Sequence, residues 1–80
     1  MELITNLMKN KLNELMTDQM REWYKIEFDE NYMRIIKPAI ICLPLNELEF
    51  SLNENYLKIK TNKVWVFLFV RNKEMLIKIW

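Results

Sequence analysis

Apolar residues at Leu3, Ile4, Leu7, Met8, Leu12, Leu15 and Met16 recur three and four positions apart, the spacing that gathers side chains on one face of an α-helix. Met20, Trp23 and Tyr24 continue the stripe, so the spacing predicts a helix to about residue 22, or a break at Thr17-Asp18 with that pair capping a second short helix. The polar face, with Glu2, Thr5, Asn6, Lys9, Asn10, Asn13 and Glu14, lacks the basic enrichment of a membrane-surface helix. The apolar stripe therefore reads as core.

After residue 45 the period changes from 3.6 to 2. Leu48, Phe50 and Leu52 alternate with Glu47, Glu49 and Ser51, and Leu57 and Ile59 alternate with Tyr56, Lys58 and Lys60, as in half-buried strands. Asn53-Glu54, Asn62-Lys63 and Asn72-Lys73 are the turn candidates, with asparagine supplying the left-handed backbone in a chain without glycine. Two-residue turns there set Phe50 against Leu57, Leu48 against Ile59, Ile59 against Val66, Leu57 against Leu68, Val70 against Met75 and Leu68 against Ile77. All six pairs are apolar, whereas a three-residue first loop would oppose Phe50 and Lys58, so an even loop and a four-stranded meander follow. Between helix and meander, Tyr24, Ile26 and Phe28 face Ile35 and Met33 across a turn near Asp29 to Asn31. Pro38 and Pro44 bracket a short apolar strand, Ala39 to Leu43, that is expected to extend through neither proline. Cys42 within it reads as a small core residue.

The expected fold is α+β: an amino-terminal amphipathic helix packed on a curled antiparallel sheet ending in the four-stranded meander. A small closed barrel with the helix as lid is the alternative. One contiguous core of Leu3, Leu7, Leu15, Phe50, Ile59, Val66, Leu68 and Ile77 is expected between helix and sheet. Eighty residues suit a single domain spanning 1–80 with one thin core, which a partner or homodimer would reinforce.

The same registers build a second sheet face, where Glu49 opposes Lys58, Glu47 opposes Lys60, Lys60 opposes Trp65, and Phe67 opposes both Lys58 and Lys78; Tyr56, Phe69, Leu76 and Trp80 complete it. Val64 to Val70 is apolar on both sides, the mark of a central strand. The helix covers only one face, so the segment Tyr24 to Leu45 decides whether the second is open.

Composition narrows the chemistry. The chain has no glycine, no histidine and one cysteine, which excludes a P-loop, a dinucleotide fingerprint, histidine-based nucleophilic triads, HExxH zinc sites and zinc fingers. None of the eleven acids is followed two residues later by lysine, the spacing of several metal-dependent nucleases. Asp29-Glu30 reads as a solvated turn, and Glu47 and Glu49 as cross-strand partners of Lys58 and Lys60. The expectation is a non-enzymatic chain without metal or cofactor. The amino terminus has no signal-peptide pattern and the uncharged runs, Pro38 to Asn46 and Val64 to Val70, are far shorter than a membrane helix, so a cytoplasmic protein without membrane association is expected.

Charge is uneven: residues 1–54 carry six basic and ten acidic side chains, net −4, and residues 55–80 carry six basic and one acidic, net +5. The basic part coincides with the aromatic face, making Tyr56, Lys58, Lys60, Trp65, Phe67, Lys78 and Trp80 the candidate binding residues. Lysines interleaved with rings suit single-stranded nucleic acid, where bases stack and phosphates are neutralised, although a net charge of only +1 lacks the positive excess typical of such proteins. The leading expectation is a protein-binding module that masks a partner's surface. Nine asparagines, nine lysines and nine isoleucines fit AT-rich coding, which suggests a phage or mobile-element inhibitor acting inside a host cell.

Overall fold

The computed structural model describes residues 3–80, and of Leu3 the backbone alone. The helical stripe forms α1 (Leu3–Leu15) and a separate α2 (Asp18–Trp23). Thr17 is the break. Its hydroxyl accepts from the Met20 amide at 3.1 Å, the N-cap arrangement that supplies an acceptor for an otherwise orphaned helical donor. Arg21 ties the two helices, donating to Asp18 at 2.8 Å and to the Asn13 carbonyl near the end of α1, where a cation is favoured.

Seven strands follow: β1 (Lys25–Phe28), β2 (Tyr32–Lys37), β3 (Ile41–Pro44), β4 (Glu49–Leu52), β5 (Tyr56–Lys60), β6 (Val64–Phe69) and β7 (Met75–Ile79), with a 3-10 turn over Leu45–Glu47. They make two antiparallel sheets, β1-β2-β3 and the meander β4-β5-β6-β7, neither closed into a barrel. The fold is α+β with helices packed on sheets. Ile26 pairs with Ile35 and Phe28 with Met33, while Tyr24 belongs to the end of α2 rather than to β1.

In the meander, Ile59 opposes Val66 and Leu57 opposes Leu68, the expected register. The flanking hairpins are each displaced by two residues: Phe50 opposes Ile59 rather than Leu57, and Leu68 opposes Met75 rather than Ile77. A shift of two keeps every side chain on its own face, which is why the faces agree although the partners differ. The turn chemistry also differs from the expectation. Among the described residues none has positive φ, so asparagine is not standing in for glycine. Instead an acceptor side chain opens three of the turns. Asp29 accepts from the Asn31 and Tyr32 amides at 3.0 and 2.9 Å, and Asn53 from Asn55 and Tyr56 at 2.8 and 2.9 Å. Thr61, itself buried, accepts from Val64 at 2.9 Å. In all three the opening residue's amide also donates to the carbonyl three residues on.

The core lies where the helices and the two sheets meet. Leu12, Met16, Met20 and Tyr24 come from the helical segment, Met33, Ile35 and Leu43 from the first sheet, Leu45 and Leu48 from the connection, and Leu57, Ile59, Val66 and Leu68 from the meander. Ile59, Val66 and Leu68 thus sit as expected, and Leu15 and Phe50 pack at the margin. Leu7 and Ile77 do not belong to it: they are 57% and 38% exposed, because the covered face of α1 runs through Thr5, Met8, Leu12, Leu15 and Met16 with Leu7 to one side, and β7 is an edge strand. The expectation for the Leu3 side chain lies outside the described residues. Cys42 is exposed, not buried. It alternates with inward-facing Ile41 and Leu43 on an edge strand, so its side chain points outward. Pro44 ends β3 opposite Tyr32 rather than stopping the strand short. The Leu45 amide bonds the Asn31 carbonyl, and by antiparallel alternation the nitrogen of Pro44 faces away from β2, where no donor is needed.

Leu68 has no exposure at all, so Leu68→Ala should destabilise by about 2–5 kcal/mol through lost transfer energy and a cavity. Leu7→Ala should stay within about 0.5 kcal/mol. Denaturant unfolding of the two variants checks the pair; similar losses would contradict the core described.

Candidate functional site

On the outer face of the meander the even-numbered residues of β5 and β7 meet the odd-numbered residues of β6. Lys60 opposes Trp65, Lys58 opposes Phe67 and Tyr56 opposes Phe69. The two-residue displacement of β7 brings Lys78 opposite Trp65 and Leu76 opposite Phe67. All seven sequence-predicted residues, Tyr56, Lys58, Lys60, Trp65, Phe67, Lys78 and Trp80, are gathered on this one face. The segment from Tyr24 to Leu45 contributes its core residues to the opposite side, and none of the seven is buried.

The rings form a continuous strip. Phe69 meets Tyr56 at 6.1 Å between centroids, Tyr56 meets Phe67 at 5.0 Å, Phe67 meets Trp65 at 6.5 Å and Trp65 meets Trp80 at 4.9 Å, all edge to face. Such pairs contribute about 0.5–1.5 kcal/mol each beyond buried area. The lysines stand on the indoles: the Nζ atoms of Lys58 and Lys60 lie 4.7 and 5.2 Å from the Trp65 ring centre, and that of Lys78 lies 4.1 Å from the Trp80 ring centre. Trp80 is still 60% exposed, and Leu76 beside the strip 56%. Beyond Phe69 the strip runs into an open hollow of about 370 Å³ lined by Asn55, Tyr56, Phe69, Arg71 and Asn72. Arg71 and Asn55 carry no signal in the sequence reading, and Asn72 reads there only as a turn residue. The Trp65–Trp80 contact was hidden by the β7 register.

The acids are placed differently. Glu49 opposes Lys60, and Ser51 rather than Glu49 opposes Lys58. Glu47 does not face Lys60; it sits in the 3-10 turn and accepts from the Asn62 amide at 3.1 Å. Asp29 is occupied by its turn, and the two amides it accepts from hold its carboxyl below the usual carboxylate range. Among the described residues no three His, Cys, Asp or Glu side chains converge as metal ligands would, and no helix is long and apolar enough to cross a membrane.

One buried hydroxyl meets the turn that leads into β7 and so toward Lys78 and Trp80. Tyr24 projects across the core, and its Oη lies 2.8 Å from the Phe69 carbonyl, 2.9 Å from that of Asn72 and 2.8 Å from that of Glu74. These oxygens belong to the end of β6 and the turn into β7. The single hydroxyl hydrogen donates among three acceptors, so the turn is wrapped around the tyrosine.

No protein-family model, curated protein or solved structure matches the chain, so its reading rests on its own geometry.

Burial pushes the Tyr24 hydroxyl above its ordinary pKa, with the Glu74 charge acting in the same direction. The folded state therefore favours the protonated form. This stabilisation is complete below the ordinary tyrosine value of about 10 and is lost as pH rises through the higher folded value. Tyr24→Phe should cost about 1–3 kcal/mol at neutral pH, and the difference from the parent chain should shrink in alkali. Unfolding measured from neutral to strongly alkaline pH checks both; a difference independent of pH would contradict the assignment.

Proposed function

We propose that the chain is a non-enzymatic protein-binding module whose outer meander face masks a surface of a partner protein. The observation that carries this reading is the uncovered, continuous aromatic strip with lysine ammoniums seated on its indoles. Aromatic residues at the centre of an exposed patch, ringed by charged groups, have the composition of interface anchors. Trp80 and Leu76 offer apolar area, and Lys58, Lys60 and Lys78 select a partner with acidic groups around an apolar recess.

The alternative ligand is single-stranded nucleic acid. The lysines supply phosphate contacts, but the ring faces that bases would stack on are partly occupied by those lysines, and neighbouring rings meet edge to face. Glu49 beside Lys60 also makes the face mixed in charge rather than uniformly basic. These features favour protein. The AT-rich coding keeps an intracellular inhibitor from a phage or mobile element as the biological setting we propose.

A direct comparison uses the exposed residue Trp80, whose replacement leaves the core intact. Capture from a nuclease-treated lysate of the native cells should recover a stoichiometric protein with the parent chain and lose it with Trp80→Ala. Replacing Lys58, Lys60 and Lys78 together should mainly slow association. Binding of a random single-stranded oligonucleotide at low salt would overturn the protein reading if the triple lysine variant flattened its log–log salt dependence by about two units, at roughly 0.7 per phosphate contact.

A further inference from the structure

We propose that two copies of this chain join edge to edge through β7, antiparallel about a two-fold axis at Leu76, so that Lys78 of each copy faces Glu74 of the other. The backbone sets the first condition. The Phe69 amide donates to the Glu74 carbonyl and the Trp80 amide to the Lys63 carbonyl. In an antiparallel ladder hydrogen-bonded pairs alternate, so residues 74, 76, 78 and 80 turn their backbone groups toward β6. Met75, Ile77 and Ile79 therefore turn their N–H and C=O groups outward, along the edge of the sheet.

The other three edges are protected. β1 presents exposed Lys25 and Glu27, β3 ends in Pro44, and β4 has α1 packed near it. Charge, proline and a covering helix are the usual devices that stop one sheet edge from pairing with another. β7 carries only Lys78 as such a device, while Ile79 is 73% exposed and Leu76, Ile77 and Trp80 are also exposed. An open apolar edge of this kind is suited to strand addition.

Charge complementarity chooses both the occupant and the register. With outward-facing residues pairing, the two-fold axis between copies can pass through Leu76, Ile77 or Lys78. An axis at Lys78 opposes two ammonium groups. An axis at Ile77 sets Lys78 against Leu76 and Glu74 against Trp80. An axis at Leu76 opposes leucine to leucine, pairs Met75 with Ile77 of the second copy twice through backbone bonds, and sets Lys78 against Glu74 of the second copy twice. Glu74 is the single acid of residues 55–80, and this register puts it opposite a lysine. A second copy fits the edge without any further component, and the joined meanders form an eight-stranded sheet with both aromatic strips on one side. The proposal is independent of what that face binds.

Sedimentation equilibrium of the whole chain, with charge-reversal variants, tests the arrangement. The parent chain should dimerise in the micromolar range. Lys78→Glu alone or Glu74→Lys alone should weaken the dimer by about tenfold or more, because each creates two like-charge oppositions, and the double exchange should restore it. Both side chains are exposed, so the variants are expected to fold. In a Cys42→Ser background, Leu76→Cys should oxidise to a linked dimer and Ile77→Cys should not, since non-hydrogen-bonded partners approach to about 4.5 Å between Cα atoms, within disulfide reach. A monomer at every concentration, a dimer indifferent to the single reversals, or cross-linking through Ile77→Cys in place of Leu76→Cys would each overturn the proposal.

Discussion

A single hydroxyl group joins the two halves of this chain. Tyr24, at the end of the helical segment, reaches across the core to the three carbonyl oxygens that close the turn between β6 and β7. Without the hydroxyl the Phe69 and Asn72 carbonyls would lose their shared donor, whereas that of Glu74 would keep the Phe69 amide, a loss of about 1–3 kcal/mol. The interaction lies where β6 ends and the chain turns into β7. From that turn β7 runs in the register that sets Lys78 opposite Trp65, and Trp80 meets Trp65 at its far end. In a domain this small, with one core shared among two short helices and two sheets, such a long-range tie also offsets part of the conformational entropy that thin packing leaves uncompensated.

Hydropathy period made much of this legible in the sequence. Alternation along β4 to β7 assigns each residue to a face, and no displacement by an even number of residues can disturb that assignment. Hence Tyr56, Lys58, Lys60, Trp65, Phe67, Lys78 and Trp80 come together although two of the three hairpins are shifted. The break at Thr17 was likewise visible, since threonine followed by an acid is an N-cap pattern. The order of pairing across a turn was less visible. It depends on whether asparagine takes left-handed backbone or accepts hydrogen bonds with its side chain, and Asn53 does the latter.

What period cannot reveal is which stretch of an amphipathic element finds a neighbour. Leu7 and Leu12 belong to one broad apolar stripe, yet Leu12 is buried and Leu7 is not, because the helix turns the side bearing Thr5, Met8, Leu12 and Met16 to its neighbours and Leu7 lies well round from it. Ile77 shares the inward side of β7 with Met75 but is more exposed, at the edge of the sheet. Cys42 sits in an uninterrupted apolar run whose alternation is masked by its own composition. The division into two sheets has the same origin: nothing local distinguishes a strand that continues a sheet from one that starts another across the core.

The outer face of the meander is defined by what leaves it uncovered. Both helices and the first sheet pack on one side of the meander, and among the described residues no element lies over the other. Rings and lysines there stabilise one another through edge-to-face and cation–π contacts, so the surface is preformed rather than assembled on binding. The tie that holds β7 beside it is the central claim, and amide hydrogen exchange in Tyr24→Phe tests it most directly. The amides of Leu76, Lys78 and Trp80, which bond back to β6, should lose far more protection than those of Leu57 and Ile59 in the middle of the sheet. Equal loss across all five amides, or no loss in β7, would contradict it.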